Sequence, residues 1–573
     1  MMFKRPLILA LLAIFAFPPT LAHAFLGPET ADEVRRRRAQ RQLEENQRKQ
    51  ERDALAVELG EMPKIDPALV EDFTEMLAVI ADPSMEGRVP GSRGIEQAAE
   101  YIESHLVELG LTPAFPKTIT PEDSDPDNPT EVIDPYGSYR QPMQMGTHTA
   151  AVSSELIVGD TAFTPGDDFS PLAFSGSASV TAPVSFVGYA IVSGPNNYLG
   201  FETNATIEGR IALVLNYEPM NADGDSLWRE EGWTHNARLT YKVTALQRRG
   251  AAGVIIVSPP GANDDRAGTL ETIESTAAPS NRMGERSGPE YDIPVVHATP
   301  EVATAMLEYL GSDLTLEELT DRANESGIVE ELGSDKREIN LAVTLERTPR
   351  MTDNIGAILP GQGNLKDELV VIGAHYDHVG YGKFGTRRES DRGKLHPGAD
   401  DNASGTAAVL IAAEHLTRRY QLLADDQDAR SILFLWFTAE ESGLNGSRFY
   451  IQNPIAPIED HAVMLNMDMV GTLSDGLLEI GGFRSGEGFE ELATPHLTQA
   501  AIPYSEDVSV GSGRSDHASF DAAGIPALFF FTGLHDRYHA PEDTIEHIDH
   551  EGAVRVALLA SSMAYDAATS STR

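Results

Sequence analysis

Between residues 67 and 109 apolar side chains recur at three- and four-residue intervals: Leu69, Phe73, Met76 and Leu77, then Ala98, Tyr101, Ile102, Leu106 and Leu109. That spacing predicts packed amphipathic helix, and Gly110 stands where such a helix ends. From about 150 to 340 the pattern shortens. β-rich runs at 180–187, 211–215, 254–257 and 293–296 are separated by turns rich in Gly, Pro and Asp, with one helix predicted over 241–249. Beyond about 350, near-continuous apolar runs at 369–374, 432–437, 463–470 and 527–531 alternate with helical stretches at 405–416 and near Ser447. Apolar strands separated by helices predict a mostly parallel or mixed central sheet flanked by helices on both faces. The expected fold class is therefore α/β. A β-rich unit at 151–339 is inserted between the two parts of the main domain, 67–150 and 340–568.

The N-terminal stretch follows a different rule. Lys4 and Arg5 precede a short apolar run over 6–17, and Ala22-His23-Ala24 offers a small-x-small cleavage site. Residues 1–24 thus read as a signal peptide, too short in its apolar part to cross a bilayer. The expectation is an exported protein, periplasmic or extracellular, with no stable membrane anchor. The tract 25–66, which includes Arg35-Arg36-Arg37-Arg38, is charged and reads as an exposed helix.

Composition narrows the chemistry. Among 573 residues there are 44 Lys and Arg against 88 Asp and Glu, a formal net charge of −44. A surface of that sign repels phosphate, so no nucleic-acid partner is expected. There is no cysteine, which excludes a disulfide scaffold, thiolate metal sites and a cysteine nucleophile. No G-x-S-x-G elbow occurs either, which disfavours a serine hydrolase.

In sheets of this type, function gathers beyond the carboxyl ends of the strands. The segments that follow the apolar runs are His375-Tyr376-Asp377-His378, Asp400-Asp401-Asn402, Glu440-Glu441, Asp468 and His535-Asp536-Arg537-Tyr538-His539. Singly, each has a plainer reading. The Asp400-Asp401-Asn402 run could cap the helix behind it, and Glu440-Glu441 could form a solvated first helical turn. Asp468, read as lying inside an apolar strand, is costly unless a cation or donors compensate it. Together, imidazoles and carboxylates at successive strand ends point to a metal site of nitrogen and oxygen ligands, suited to zinc, with manganese or cobalt possible. The number of candidate ligands exceeds what one catalytic zinc uses, which points to two ions that activate water and polarise a carbonyl.

The segments A-H-Y-D-H at 374–378, G-A-D-D-N-A-S-G at 398–405, T-A-E-E-S-G at 438–443, N-M-D-M-V-G at 466–471, G-S-G-R-S-D-H at 511–517 and R-Y-H-A-P-E-D-T at 537–544 resemble, in order and spacing, the M28 family of dizinc metallopeptidases. The unit at 151–339, with its G-A-A-G-V-I-I-V segment, is similar to a protease-associated (PA) domain. The resemblance implies that His375 and Asp468 bind one zinc, Glu441 and His539 the other, and Asp401 bridges them. It implies Glu440 as general base and Asp377 as the carboxylate that orients His375. Tyr538 and Arg514 would be donors to the developing oxyanion. Asp400 and His517 receive no role from it.

The activity expected is that of an exopeptidase releasing N-terminal amino acids from peptides. A glutamate-carboxypeptidase-like enzyme is the alternative, and would need Arg side chains to hold a carboxylate. A glutaminyl cyclase, which uses one metal, and a PA-domain scaffold protein stand further off, because neither accounts for the whole set of candidate ligands.

Overall fold

The structure, a computed structural model, describes residues 64–119, 132–200, 207–230, 232–276, 291–332, 337–506 and 513–570. The expectations for 1–24 and for all of 25–66 except its last three residues lie outside these. Two helices open the described chain, α1 (Pro67–Ile80) and α2 (Arg93–Glu108). Asp66 caps α1 by accepting from the Ala68 amide at 3.1 Å, and Ser92 caps α2 by accepting from Ile95. Their apolar stripes, Phe73, Met76, Leu77 and Ile80 on α1 and Ala98, Ile102 and Leu106 on α2, are buried in the main core.

That core covers a mixed eleven-stranded sheet. Its centre consists of β1 (Arg140–Val158), β2 (Ile339–Leu359), β3 (Leu369–His375), β4 (Ser431–Phe437), β5 (His461–Met467) and β6 (Ala527–Phe531). β3 runs parallel to both β4 and β5, and β5 runs parallel to β6. β2 is antiparallel to β4 and to β1. Every residue of β3 and β4 is buried, as their apolar runs 369–374 and 432–437 require when both faces are covered. Helices α3 (Gly405–Tyr420) and α4 (His550–Thr569) pack against each other and into the main core.

Residues 169–332 carry a second, six-stranded sheet whose central strands, Val184–Phe186, Ile211–Leu215, Gly253–Val257 and Val295–Ala298, run parallel. The expected boundary near 150 and 340 is not a break in the chain's hydrogen bonding. β1 and β2 pair with each other from the main sheet to Val158 and Ile339, with register shifts at Thr344/Leu345 and Pro349/Met351, so one ribbon joins both regions. All described residues fall in one compact unit, Arg48–Arg573. No described helix is long and apolar enough to cross a membrane.

Candidate metal centre

Parallel pairing of β3, β4, β5 and β6 puts their carboxyl ends on one edge, and the candidate ligands collect there. His375 is the last residue of β3. Asp401 lies in the turn Ala399–Ser404 that leads into α3. Glu440 and Glu441 follow β4, Asp468 follows β5 and His539 lies beyond β6. Two sequence expectations need correction. Asp468 is not inside a strand, since β5 ends at Met467. Glu440 and Glu441 are not a first helical turn either, because the helix after β4 begins only at Asn445. In both places the ladder stops where the backbone turns a carboxylate toward the cluster; Ala439, with φ of 56°, makes that turn after β4.

Asp401 is the centre of the arrangement. Its Oδ1 is 3.3 Å from His375 Nε2, which is also 3.3 Å from Asp468 Oδ1. Its Oδ2 is 3.1 Å from His539 Nε2, which is 2.8 Å from Glu441 Oε2. One carboxylate thus faces two separate imidazole–carboxylate pairs. The tautomers follow from the other ring nitrogens. His375 Nδ1 lies 3.2 Å from the Asp377 carbonyl and His539 Nδ1 lies 2.6 Å from the Gly385 carbonyl. A carbonyl only accepts, so each Nδ1 carries the proton and each Nε2 faces the cluster.

Asp377 does more than orient His375. Its carboxylate Oδ1 is 3.7 Å from His375 Nδ1, further away than its own carbonyl, and accepts from the Glu440 amide at 3.0 Å. It therefore links the end of β3 to the turn after β4. Tyr538 stacks on His539, ring centroids 3.9 Å apart. Arg514 is exposed, with its guanidinium 5.8 Å from the Phe531 ring.

Several participants were not singled out from sequence. His378 is buried, and its Nδ1 donates to Glu441 Oε1 at 2.8 Å. Asp543 accepts from the amides of Asp400 and Asp401 at 3.1 Å, fixing the backbone of the central turn. Asp400 is not a helix cap; it accepts from the Gly471 amide at 2.7 Å and pairs with His535 Nε2 at 2.9 Å. Only the placement of His378 and Asp543 within the matched segments hinted at them, and spacing alone gives neither a partner.

The electrostatics ask for positive charge. Burial opposes protonation of His375 and His539, yet the surrounding carboxylates, Asp468 and Glu440 for the first and Glu441 and Asp401 for the second, hold both imidazoles well above their usual range. Burial also works against ionised Asp401 and Glu441. The imidazoles overcome it, keeping Asp401 well below the ordinary carboxylate range and Glu441 at about 2. Burial, followed by Glu441, Asp516 and Asp468 despite the opposing pull of His375, drives Glu440 well above its usual value. Burial pushes Asp516 up to about 7 and Asp543 to about 6.

The residues fit a divalent cation. His378, Asp401, Glu441 and His539 form one group of possible ligand atoms and His375, Asp401 and Asp468 another, each within 4.8 Å of one another. His539 Nε2 and Asp468 Oδ1 are buried without a hydrogen-bond partner, as atoms reserved for coordination would be. Neutral imidazole and carboxylate are zinc ligands, and no thiol competes.

Residues 354–564 match the model of peptidase family M28. This segment belongs to that family. Among curated proteins, a "Probable leucine aminopeptidase" of Trichophyton verrucosum is 32% identical over 223 residues, 38% of this chain and 58% of the relative. "Leucine aminopeptidase 1" of Pyrenophora tritici-repentis is 30% identical over 257 residues, 42% of this chain and 62% of the relative. The chain thus spans about three-fifths of the length of these relatives. Among solved structures, a zinc aminopeptidase of Bacillus subtilis aligns over 90% of this chain and 98% of its own, at 20% identity and a TM-score of 0.43. An aminopeptidase of Aneurinibacillus sp. strain AM-1 aligns over 87% and 94%, at 21% identity and a TM-score of 0.40.

Proposed function

We propose that this protein is an exported zinc-dependent aminopeptidase that removes N-terminal residues from peptides. The observation that carries the reading is the placement of Asp401, whose two oxygens face two different imidazole–carboxylate pairs. Two ions would then be held, one by His375 and Asp468, one by Glu441 and His539, with Asp401 shared between them. Zinc at these positions supplies Lewis acidity for activating water and polarising the scissile carbonyl.

The chain's own groups supply the rest. Glu440 is buried beside the ligands, with its amide held by Asp377 and its carboxyl shifted toward holding a proton, which suits a group that takes a proton and returns it to the leaving amine. Burial and then the nearby carboxylates keep the Tyr538 hydroxyl protonated far above its ordinary range, so it remains a donor for developing negative charge on the substrate oxygen. Arg514, exposed as it is, contributes only from the rim. Preference for a free N-terminus is taken from the named leucine aminopeptidases. The second sheet over 169–332 would be a PA-like insert, and the signal-peptide pattern over 1–24 would direct export to the periplasm or medium.

The test is a panel of aminoacyl amides set against N-blocked peptides with free C-termini, together with metal analysis of the purified chain. Cleavage of the amides with about two zinc ions per chain is expected. Cleavage of the blocked set alone would replace this activity with a carboxypeptidase's, and absence of bound metal in the active protein would remove the mechanism.

A further inference from the structure

The segment between α1 and α2 lies outside the region matched to the peptidase family, yet it reaches the centre through one side chain. Arg88 is completely buried. Its Nε donates to the Tyr376 carbonyl at 2.8 Å, Nη1 to the Ile80 and Pro397 carbonyls, each at 2.8 Å, and Nη2 to the Gly398 carbonyl at 2.9 Å. The Arg88 carbonyl in turn accepts from the His378 amide at 3.2 Å, and the Gly87 carbonyl accepts from the Gly380 amide at 3.1 Å.

These partners belong to three segments. Tyr376 lies between His375 and Asp377, immediately after β3. Pro397 and Gly398 lead into the turn that carries Asp401. Ile80 is the last residue of α1, where helix carbonyls lack partners within the helix. We propose that Arg88 is a positioning residue for the metal centre: its planar fork sets the spacing between the end of β3, which bears His375, and the turn that bears Asp401.

The chemistry favours arginine in this place. All four carbonyl contacts are neutral, so the buried charge is balanced through space by the anionic cluster itself. Burial pulls the guanidinium down to about 10, and Asp401, Asp377, Asp543 and Glu441 act against that pull to keep it protonated. A lysine has the charge but presents its donors from a single atom and cannot span carbonyls on three segments. The charge and the loops are thus mutually dependent. The cluster compensates the guanidinium, and the guanidinium holds the cluster's two halves at a fixed separation.

This inference rests on the metal-centre reading above, and its test separates the two. Arg430 is the natural control, because it is equally buried but sits at the amino end of β4, bonded to Glu368 and to the Ala567 and Ser570 carbonyls. Zinc affinity of the metal-stripped full chain is measured by competition with a chromophoric chelator for the parent, Arg88→Lys, Arg88→Met and Arg430→Met, with thermal midpoints recorded in parallel. The Arg88 variants are expected to bind zinc at least about tenfold more weakly, the scale on which groups supporting metal ligands act. Arg430→Met should lower the midpoint while holding zinc affinity within about twofold of the parent. Arg88→Lys is the milder change and decides the matter if Arg88→Met does not fold. Parent-like zinc affinity in Arg88→Lys overturns the proposal, as does an equal loss in Arg430→Met, which would mark a general loss of stability. A parent that binds no zinc removes the function reading itself, and this proposal with it.

Discussion

Replacing Glu441 by Gln isolates the charge of one ligand without removing its volume. The Glu441 carboxylate accepts from His378 Nδ1 and lies against His539 Nε2, each at 2.8 Å. Gln keeps an acceptor for His378, so the turn after β4 should fold as before. What is lost is the preference of the site for an anion. The side chain titrates at about 2 in place of the ordinary 4.5. At about 1.4 kcal/mol per pKa unit, that gap is about 3 kcal/mol in favour of the ionised form. The preference arises against imidazolium protons, and a divalent cation in their place attracts the carboxylate at least as strongly. Zinc affinity at this position should therefore fall roughly a hundredfold, read by chelator competition, with hydrolysis of aminoacyl amides falling alongside. The sign of the pH effect is also fixed. In the metal-free chain the depressed carboxylate contributes stability that is complete above pH 4.5 and is lost as pH falls toward 2. Glu441→Gln should lack that part of the acid sensitivity. A variant that binds zinc within about threefold of the parent would refute the assignment of Glu441 as a ligand.

Prolonged chelation followed by dialysis should abolish peptide hydrolysis, and added zinc should restore it; activity that survives stripping would contradict a metal mechanism. In the second sheet, burial pushes His297 down to about 4 from 6.5, and its Nδ1 accepts from the Glu271 amide at 2.8 Å. The folded chain holds it neutral while the unfolded chain takes up a proton. Stability should therefore fall as pH drops from 6.5 toward 4, by up to about 3 kcal/mol. His297→Asn should flatten the difference in thermal midpoint between pH 7 and pH 4.5, and an unchanged difference would show that this group does not titrate as its burial requires. Gly94→Ala would place a Cβ 1.8 Å from the Met85 carbonyl oxygen. A loss of about 1–3 kcal/mol in urea unfolding is expected, and a parent-like midpoint would mean that α2 and the turn before it are not packed as described.

The strands were legible because their chemistry is local. Residues 369–374 and Ala527–Phe531 are apolar without interruption, as strands covered on both faces are. The candidate ligands were legible for a related reason. A His, Asp or Glu at the end of an apolar strand breaks a strong pattern, and several such breaks in succession mark one edge of a parallel sheet. Boundaries were less certain: the pattern carried β5 on to Val470, whereas the ladder stops at Met467 and frees Asp468. Arg514 was included on resemblance, yet no local signal fixes how far a side chain on a surface turn stands from the cluster.

The sequence by itself determined the fold class and the inventory of imidazoles and carboxylates, because hydrophobic period and residue type are properties of short stretches. Only the tertiary structure decided which of those groups face one another. Asp401 meets two imidazoles that lie 26 residues before it and 138 after it in the chain, His378 turns to Glu441, and Arg88 crosses from the first helices to hold both loops. Such pairings depend on strand order and on backbone carbonyls and amides. Those groups are chemically identical at nearly every residue, so composition and spacing carry no record of which of them a distant side chain will find.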